Sequence, residues 1–127
     1  MDYIFLISRI LFGGFFIMSG WGHFKNLSGS TGYTASKKVP FPKASVVLSG
    51  IMMILGGLGI LFGVYVQLSV VLIVLCLIPI SFMMHDYWND KDVHMKMSNR
   101  VNFMKNVALI GGALAFLFIT MPWPWSL

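Results

Sequence analysis

Residues 44–66 form a stretch without a single charged side chain. About 20 apolar residues is the length that crosses hydrocarbon roughly 30 Å thick as a helix. Three other stretches approach the same character. Tyr3–Phe24 is interrupted only by Arg9, Leu68–Met84 ends at His85 and Asp86, and Phe103–Met121 carries Lys105 in its first turn. None alternates apolar and polar positions as a barrel strand does. Backbone in lipid must satisfy its own hydrogen bonds, so the runs are predicted to be helices. The sequence therefore predicts an all-α membrane protein, a four transmembrane helix bundle, with residues 1–127 as a single membrane domain.

Composition points the same way. Hydrophobic residues make up 57% of the chain and charged residues only 10%, against about 25% charged in soluble domains. A soluble domain of this size has too much surface to hide that apolar content. The first run opens on Asp2, has no basic segment before it and is long, so it reads as a span rather than a cleaved signal. The only cysteine, Cys76, lies in an apolar run. An intramolecular disulfide and a CxxC relay are thereby excluded, and a packing role is expected.

The connections are unequal. Lys25–Lys43 reads as a long loop with Gly29, Gly32, Pro40 and Pro42, the second connection as a tight hairpin near Val64–Gln67, and Asp86–Asn102 as a polar loop. Four crossings place the two long loops on one face, and the hairpin and both termini on the other. The net charge is +5, and Lys25, Lys37, Lys38, Lys43, Lys91, Lys96, Arg100 and Lys105 all flank the long loops. The positive-inside rule then predicts a multi-pass protein of the cell membrane with long loops cytoplasmic and both termini outside. Anionic headgroups account for the charge, and no nucleic-acid-binding motif is present. Trp123 and Trp125, between prolines, read as an interfacial anchor.

Glycine pairs recur at 13–14, 56–57 and 111–112, and Gly59 and Gly63 form a small-xxx-small pair. Small residues let membrane helices approach closely. Packing within the bundle is the first reading; close approach to a flat cofactor and a dimer interface are the others. The ten methionines read as flexible apolar packing, with His94, Met95 and Met97 as a loose copper-like cluster.

Several polar residues are candidates for chemistry. Arg9 lies about two turns into its span, where a charge costs roughly 2.5–3.5 kcal/mol unless it snorkels or pairs. It is read either as snorkelling to the outer interface or as a pocket cation. No acidic residue lies within any span, so Gln67 and Ser8 are its neutral partners. His23 and His85 end two spans on one face. They fit interfacial capping, hydrogen bonding to a ligand, axial ligation of haem, or half a metal site with Asp86 or His94. Metal spacings such as HExxH are absent, and no metal is assigned. Tyr33, Asp86, Trp88, Lys105 and Asn106 gather at the same face. A quinone headgroup needs donors at its carbonyls and an apolar groove for its tail, and this face supplies both; an ordinary aromatic belt is the alternative. The candidate ligand-binding set is therefore His23, Tyr33, His85, Asp86, Trp88, Lys105, Asn106 and Arg9, with no catalytic residue assigned.

Three ordered stretches resemble the DoxX family of small membrane proteins. They are Arg9-Ile-Leu-Phe-Gly-Gly continuing to Ser19-Gly20-Trp21-Gly22-His23-Phe24-Lys25; Gly32-Tyr33, Val39-Pro40-Phe41-Pro42 and Leu55-Gly56-Gly57-Leu58 with Gly63; and His85-Asp86-Tyr87-Trp88 with Phe103-Met104-Lys105-Asn106 running to Gly112. The resemblance implies a four-helix bundle. It also implies a redox setting, since family members include small subunits of a thiosulfate:quinone oxidoreductase and proteins linked to oxidative stress. Family members often carry an acidic residue before the second helix's glycine pair. Met53 stands there in this chain, so Arg9 lacks that partner.

Two functions follow as expectations. The first is a redox-linked accessory subunit at the quinone pool, part of a quinone-linked oxidoreductase, with quinone as the leading ligand and haem the second. The second is a non-catalytic assembly factor whose glycine face docks on a larger membrane complex or on a second copy. A transporter is a third, with few intramembrane polar groups to form a path.

Overall fold

The structure, a computed structural model, describes residues 2–126. Five α-helices follow one another: α1 (Asp2–Lys25), α2 (Leu27–Ser36), α3 (Pro42–Phe62), α4 (Val66–Met84) and α5 (Val93–Ala115). Short 3₁₀ turns occupy Tyr87–Asn89 and Phe116–Phe118. Four of these helices are long and apolar enough to cross a membrane. Their outward faces expose Leu11, Met18, Leu48, Leu55, Leu68 and Leu75. Such surface is stable only against lipid, and the chain is a multi-pass membrane protein with an all-α bundle.

Local chemistry sets the helix ends. Pro42 opens α3 at a position where its missing N–H costs nothing. Gly63 closes α3 in the left-handed region at φ +68°, and the Val64 amide donates back to the Gly59 carbonyl at 3.0 Å. The hairpin into α4 is therefore tight.

The α1–α3 crossing is the closest in the bundle. A Cβ added to Gly57 would lie 2.6 Å from the Gly13 carbonyl oxygen, and one on Gly20 would lie 2.6 Å from that of Gly50. Gly13 faces Gly57, and two turns along each helix Gly20 faces Gly50. The helices thus run antiparallel with backbone in contact, which maximises dispersion where lipid offers no hydrophobic drive. Gly56 turns toward Ile73 of α4 instead, while Gly14 and Gly111 face open space. Gly56 and Gly57 thus both pack inside the bundle, against α4 and α1 respectively.

The Phe12 ring of α1 packs against the 3₁₀ turn that follows α5 and against its own helix. Phe12 contacts Phe116 at 5.0 Å between centroids and Phe16 at 5.1 Å. Phe16, Ile60, Ile73, Leu77 and Ala113 are fully or nearly fully buried at the centre.

Three sequence expectations change. The loop after α1 contains a ten-residue helix, α2. The fourth apolar run belongs to a helix that starts at Val93, well before Phe103. Trp123 is 2% exposed and packs edge-on against Phe5 at 5.0 Å, so it seals the bundle end instead of anchoring at an interface. Trp125 remains exposed and stacks on Tyr3.

Candidate functional site: a cavity under helix α2

Both long connections meet at one end of the bundle. The ammonium of Lys37, just past α2, lies 2.8 Å from Asp86 Oδ1 and 3.9 Å from Asp90 Oδ1. The bond to Asp86 raises the Lys37 pKa above its ordinary 10.5, although partial burial opposes it. Tyr33 donates its hydroxyl to the Met84 carbonyl at 3.4 Å. These bonds hold α2 across the ends of α3 and α4.

Beneath α2 lies a cavity of about 480 Å³, within the range of small-molecule sites. Its walls are mostly apolar: Val39, Val46, Leu48, Met52, Ile80, Met83 and Met84 contribute. His23, Ser30, Thr34, Ser45, Ser49, Cys76 and His85 supply the polar edges. Small and thioether side chains leave the space, because a wall of larger branched residues would fill it. Pro79 also lines the cavity and interrupts α4 from within. Lacking an N–H, it leaves the Leu75 carbonyl without its usual i+4 donor.

Each histidine is tied back through Nδ1. In His23 this nitrogen is 3.2 Å from the Val46 carbonyl and 3.1 Å from Ser49 Oγ. In His85 it is 3.2 Å from Asn99 Oδ1, and Asn99 donates its amide to Asp90 Oδ2 at 2.8 Å. Cys76 is buried and points its thiol toward the Ser49 carbonyl at 3.6 Å.

The structure divides the eight candidate residues. His23 and His85 line the cavity; Tyr33 and Asp86 fasten the helix above it. Trp88 belongs to a neighbouring aromatic cluster with Phe82, Tyr87 and Phe103. Lys105 is not in the cavity wall: its ammonium lies 5.4 Å over the Phe15 ring of α1. Asn106 is buried on α5 and is absent from the cavity wall.

Arg9 is at the opposite end and fully buried. Neither Gln67 nor Ser8 is its partner, since Ser8 donates to the Phe5 carbonyl. Instead Arg9 donates Nε to Ile60 O at 3.4 Å, Nη2 to Leu61 O at 2.8 Å and to Trp125 O at 3.1 Å, and Nη1 to Pro124 O. Two of these carbonyls belong to the last turn of α3, where the helix dipole is negative and carbonyls lack partners. The Phe5 and Trp123 rings flank the guanidinium, each centroid 5.5 Å from Cζ. Arg9 thus needs no carboxylate. Residue 53 sits seven positions before Ile60, about 10 Å along the helix. A carboxylate at 53 would be distant from this cage.

Sequence reading missed Ser30, Thr34, Ser45, Ser49 and Cys76 as cavity residues. Their one available signal is the small polar residue repeated on apolar helices. Among the described residues, no group of His, Cys, Asp or Glu is arranged to hold a metal ion.

The comparison with curated proteins and the comparison with solved structures return no match. The DoxX family model matches residues 4–86, covering α1 to α4, both cavity histidines and Asp86. The Phe103–Gly112 element lies beyond the match. More than half of the chain is matched, and the chain belongs to the DoxX family.

Proposed function

We propose that this DoxX protein is a redox-linked accessory subunit that holds a ring compound of the quinone pool in the cavity under α2. The observation that carries the reading is the pairing of His23 and His85, from different helices, on one otherwise apolar space of about 480 Å³. A six-membered ring with two oxygen substituents and an apolar tail matches such a site: the imidazole edges meet the oxygens, and the methionine-rich wall meets the ring and tail. When bound, such a molecule would supply two-electron redox chemistry. The chain's own residues would bind and orient it and keep water away.

We further propose that the whole chain acts as one membrane domain, with its basic end facing the cytoplasm. Eight of the nine Lys and Arg residues flank the long connections, as the positive-inside rule requires. The assembly-factor reading loses ground because Gly13, Gly20, Gly50 and Gly57 pack against each other.

The test is a titration of the detergent-purified protein with a short-tailed benzoquinone, presented separately in its oxidised and reduced forms. Saturable binding of either form, abolished by Ser49→Phe filling the cavity, supports the reading. Absence of binding in both forms refutes it.

A further inference from the structure

We propose that the cavity accepts hydrogen bonds from its occupant, and so selects the reduced, hydroxyl-bearing ring (a hydroquinone) over the carbonyl-bearing quinone. The inference rests on the ring-binding reading above and specifies the chemical form.

The hydrogen-bond chain at His85 fixes its tautomer. An ionised carboxylate only accepts, so Asp90 Oδ2 must face the amide nitrogen of Asn99, at 2.8 Å. That leaves Asn99 Oδ1 facing His85 Nδ1 at 3.2 Å. An amide oxygen also only accepts, so Nδ1 carries a proton. In the neutral ring Nε2 is then a lone-pair acceptor. His23 reaches the same state by a different route. The Ser49 hydroxyl has a single proton and lies 3.1 Å from both the Val46 carbonyl and His23 Nδ1. The Val46 carbonyl, which only accepts, also faces His23 Nδ1 at 3.2 Å, so a proton on Nδ1, with Ser49 donating to Val46, is the assignment that leaves no two acceptors facing each other. Both histidines line the cavity, and with Nδ1 protonated each neutral ring keeps Nε2 as its acceptor.

The hydroxyls extend the pattern. Thr34 donates to the Ser30 carbonyl at 2.7 Å, and Ser45 to the Pro40 carbonyl at 3.0 Å. Their protons are committed, and their lone pairs remain. Pro79 deprives the Leu75 carbonyl of its helical donor, and Leu75 is itself a lining residue. Neither Lys37 nor Lys105 lines the space. Ser30 is the remaining hydroxyl donor among the described lining residues. A quinone would place two further acceptors against this wall, whereas a hydroquinone brings two donors to it.

The experiment compares three ligands with the same ring and tail at pH 8, above the ordinary histidine pKa of about 6.5. They are the alkylated hydroquinone, its benzoquinone, and its dimethyl ether, in which both hydroxyls are capped. Two neutral hydrogen bonds correspond to roughly tenfold or more in affinity. The hydroquinone is expected to bind at least tenfold tighter than either other ligand. His85→Phe should remove most of that preference, bringing the hydroquinone's affinity toward that of its ether measured on the same variant. Asn99→Leu, which frees the ring's tautomer, should reduce the preference several-fold. Nitrogen-15 shifts of the wild-type histidines should show Nε2 unprotonated. Equal affinity for all three ligands, or preference for the quinone, overturns the inference and leaves ring binding intact. Failure of all three to bind overturns both.

Discussion

Replacing Arg9 by methionine tests the cage that closes the far end of the bundle. The methionine keeps the length of the side chain and its apolar contacts with Phe5 and Trp123, and removes all the donors. The two strongest bonds run to Leu61 O at 2.8 Å and to Pro124 O. At about 1.5–3 kcal/mol for each charge-assisted bond, their loss costs about 3–6 kcal/mol. The weaker bonds to Ile60 O and Trp125 O vanish as well, and relief of desolvating the charge offsets part of the loss. A net destabilisation of about 3–5 kcal/mol is expected, because the carbonyls of the cage stay buried without donors at about 1–3 kcal/mol each. That is roughly two to three and a half decades in the unfolding equilibrium constant. The assay is reversible unfolding in mixed micelles with increasing denaturing detergent. Hydrogen exchange should locate the loss at the end of α3 and in the tail that Arg9 holds. Arg9→Lys should recover only part of the stability, because an ammonium cannot span four carbonyls as a planar fork does. A change below about 1 kcal/mol for Arg9→Met would show that the carbonyl cage is not what makes this intramembrane charge tolerable.

Other consequences are checked more briefly. Gly57→Ala places a Cβ 2.6 Å from the Gly13 carbonyl and should cost about 1–3 kcal/mol in the same assay, whereas Gly14→Ala, with nothing within 4 Å, should be neutral or slightly stabilising. Lys37→Met should loosen α2 and raise the rate at which a thiol reagent reaches Cys76 in the cavity wall, with little change in global stability. Because folding raises the Lys37 pKa above 10.5, the stability it contributes is fully present below the unfolded value. It is lost as pH rises through the higher folded value. Thiol reactivity corrected for thiolate content should therefore stay flat through neutral pH and climb only above about 10.5.

The four long helices are legible in the sequence because each run's length and lack of charge have one stable solution in lipid. Helix α2 is not, since Gly29 and Gly32 each weaken a helix by about 1 kcal/mol relative to alanine. It is held by tertiary contacts: buried Thr34, the Tyr33 bond and the Lys37 clasp. The early start of α5 hides behind polar residues that are nonetheless good helix formers. His23 and His85 stood out as polar groups ending apolar runs on one face, and both reach the cavity. Lys105 and Asn106 share that end of the bundle, but neither lines the cavity: Lys105 turns to the Phe15 ring of α1 and Asn106 is buried. The Arg9 partners are backbone carbonyls, which no side-chain pattern encodes. Ser49 and Thr34 are small polar residues that look like packing until the space beside them is seen.

A redox-active ring held under α2 should accompany the protein out of the membrane. The most direct measurement is solvent extraction and native mass spectrometry of protein purified from membranes in mild detergent, beside the Ser49→Phe variant prepared identically. About one quinone-type molecule per wild-type chain is expected, extracted in its reduced form when oxygen is excluded, and none on the filled variant. Equal ring compound on both proteins, or none on the wild type and no uptake of added ligand in either redox form, would contradict such a site under α2.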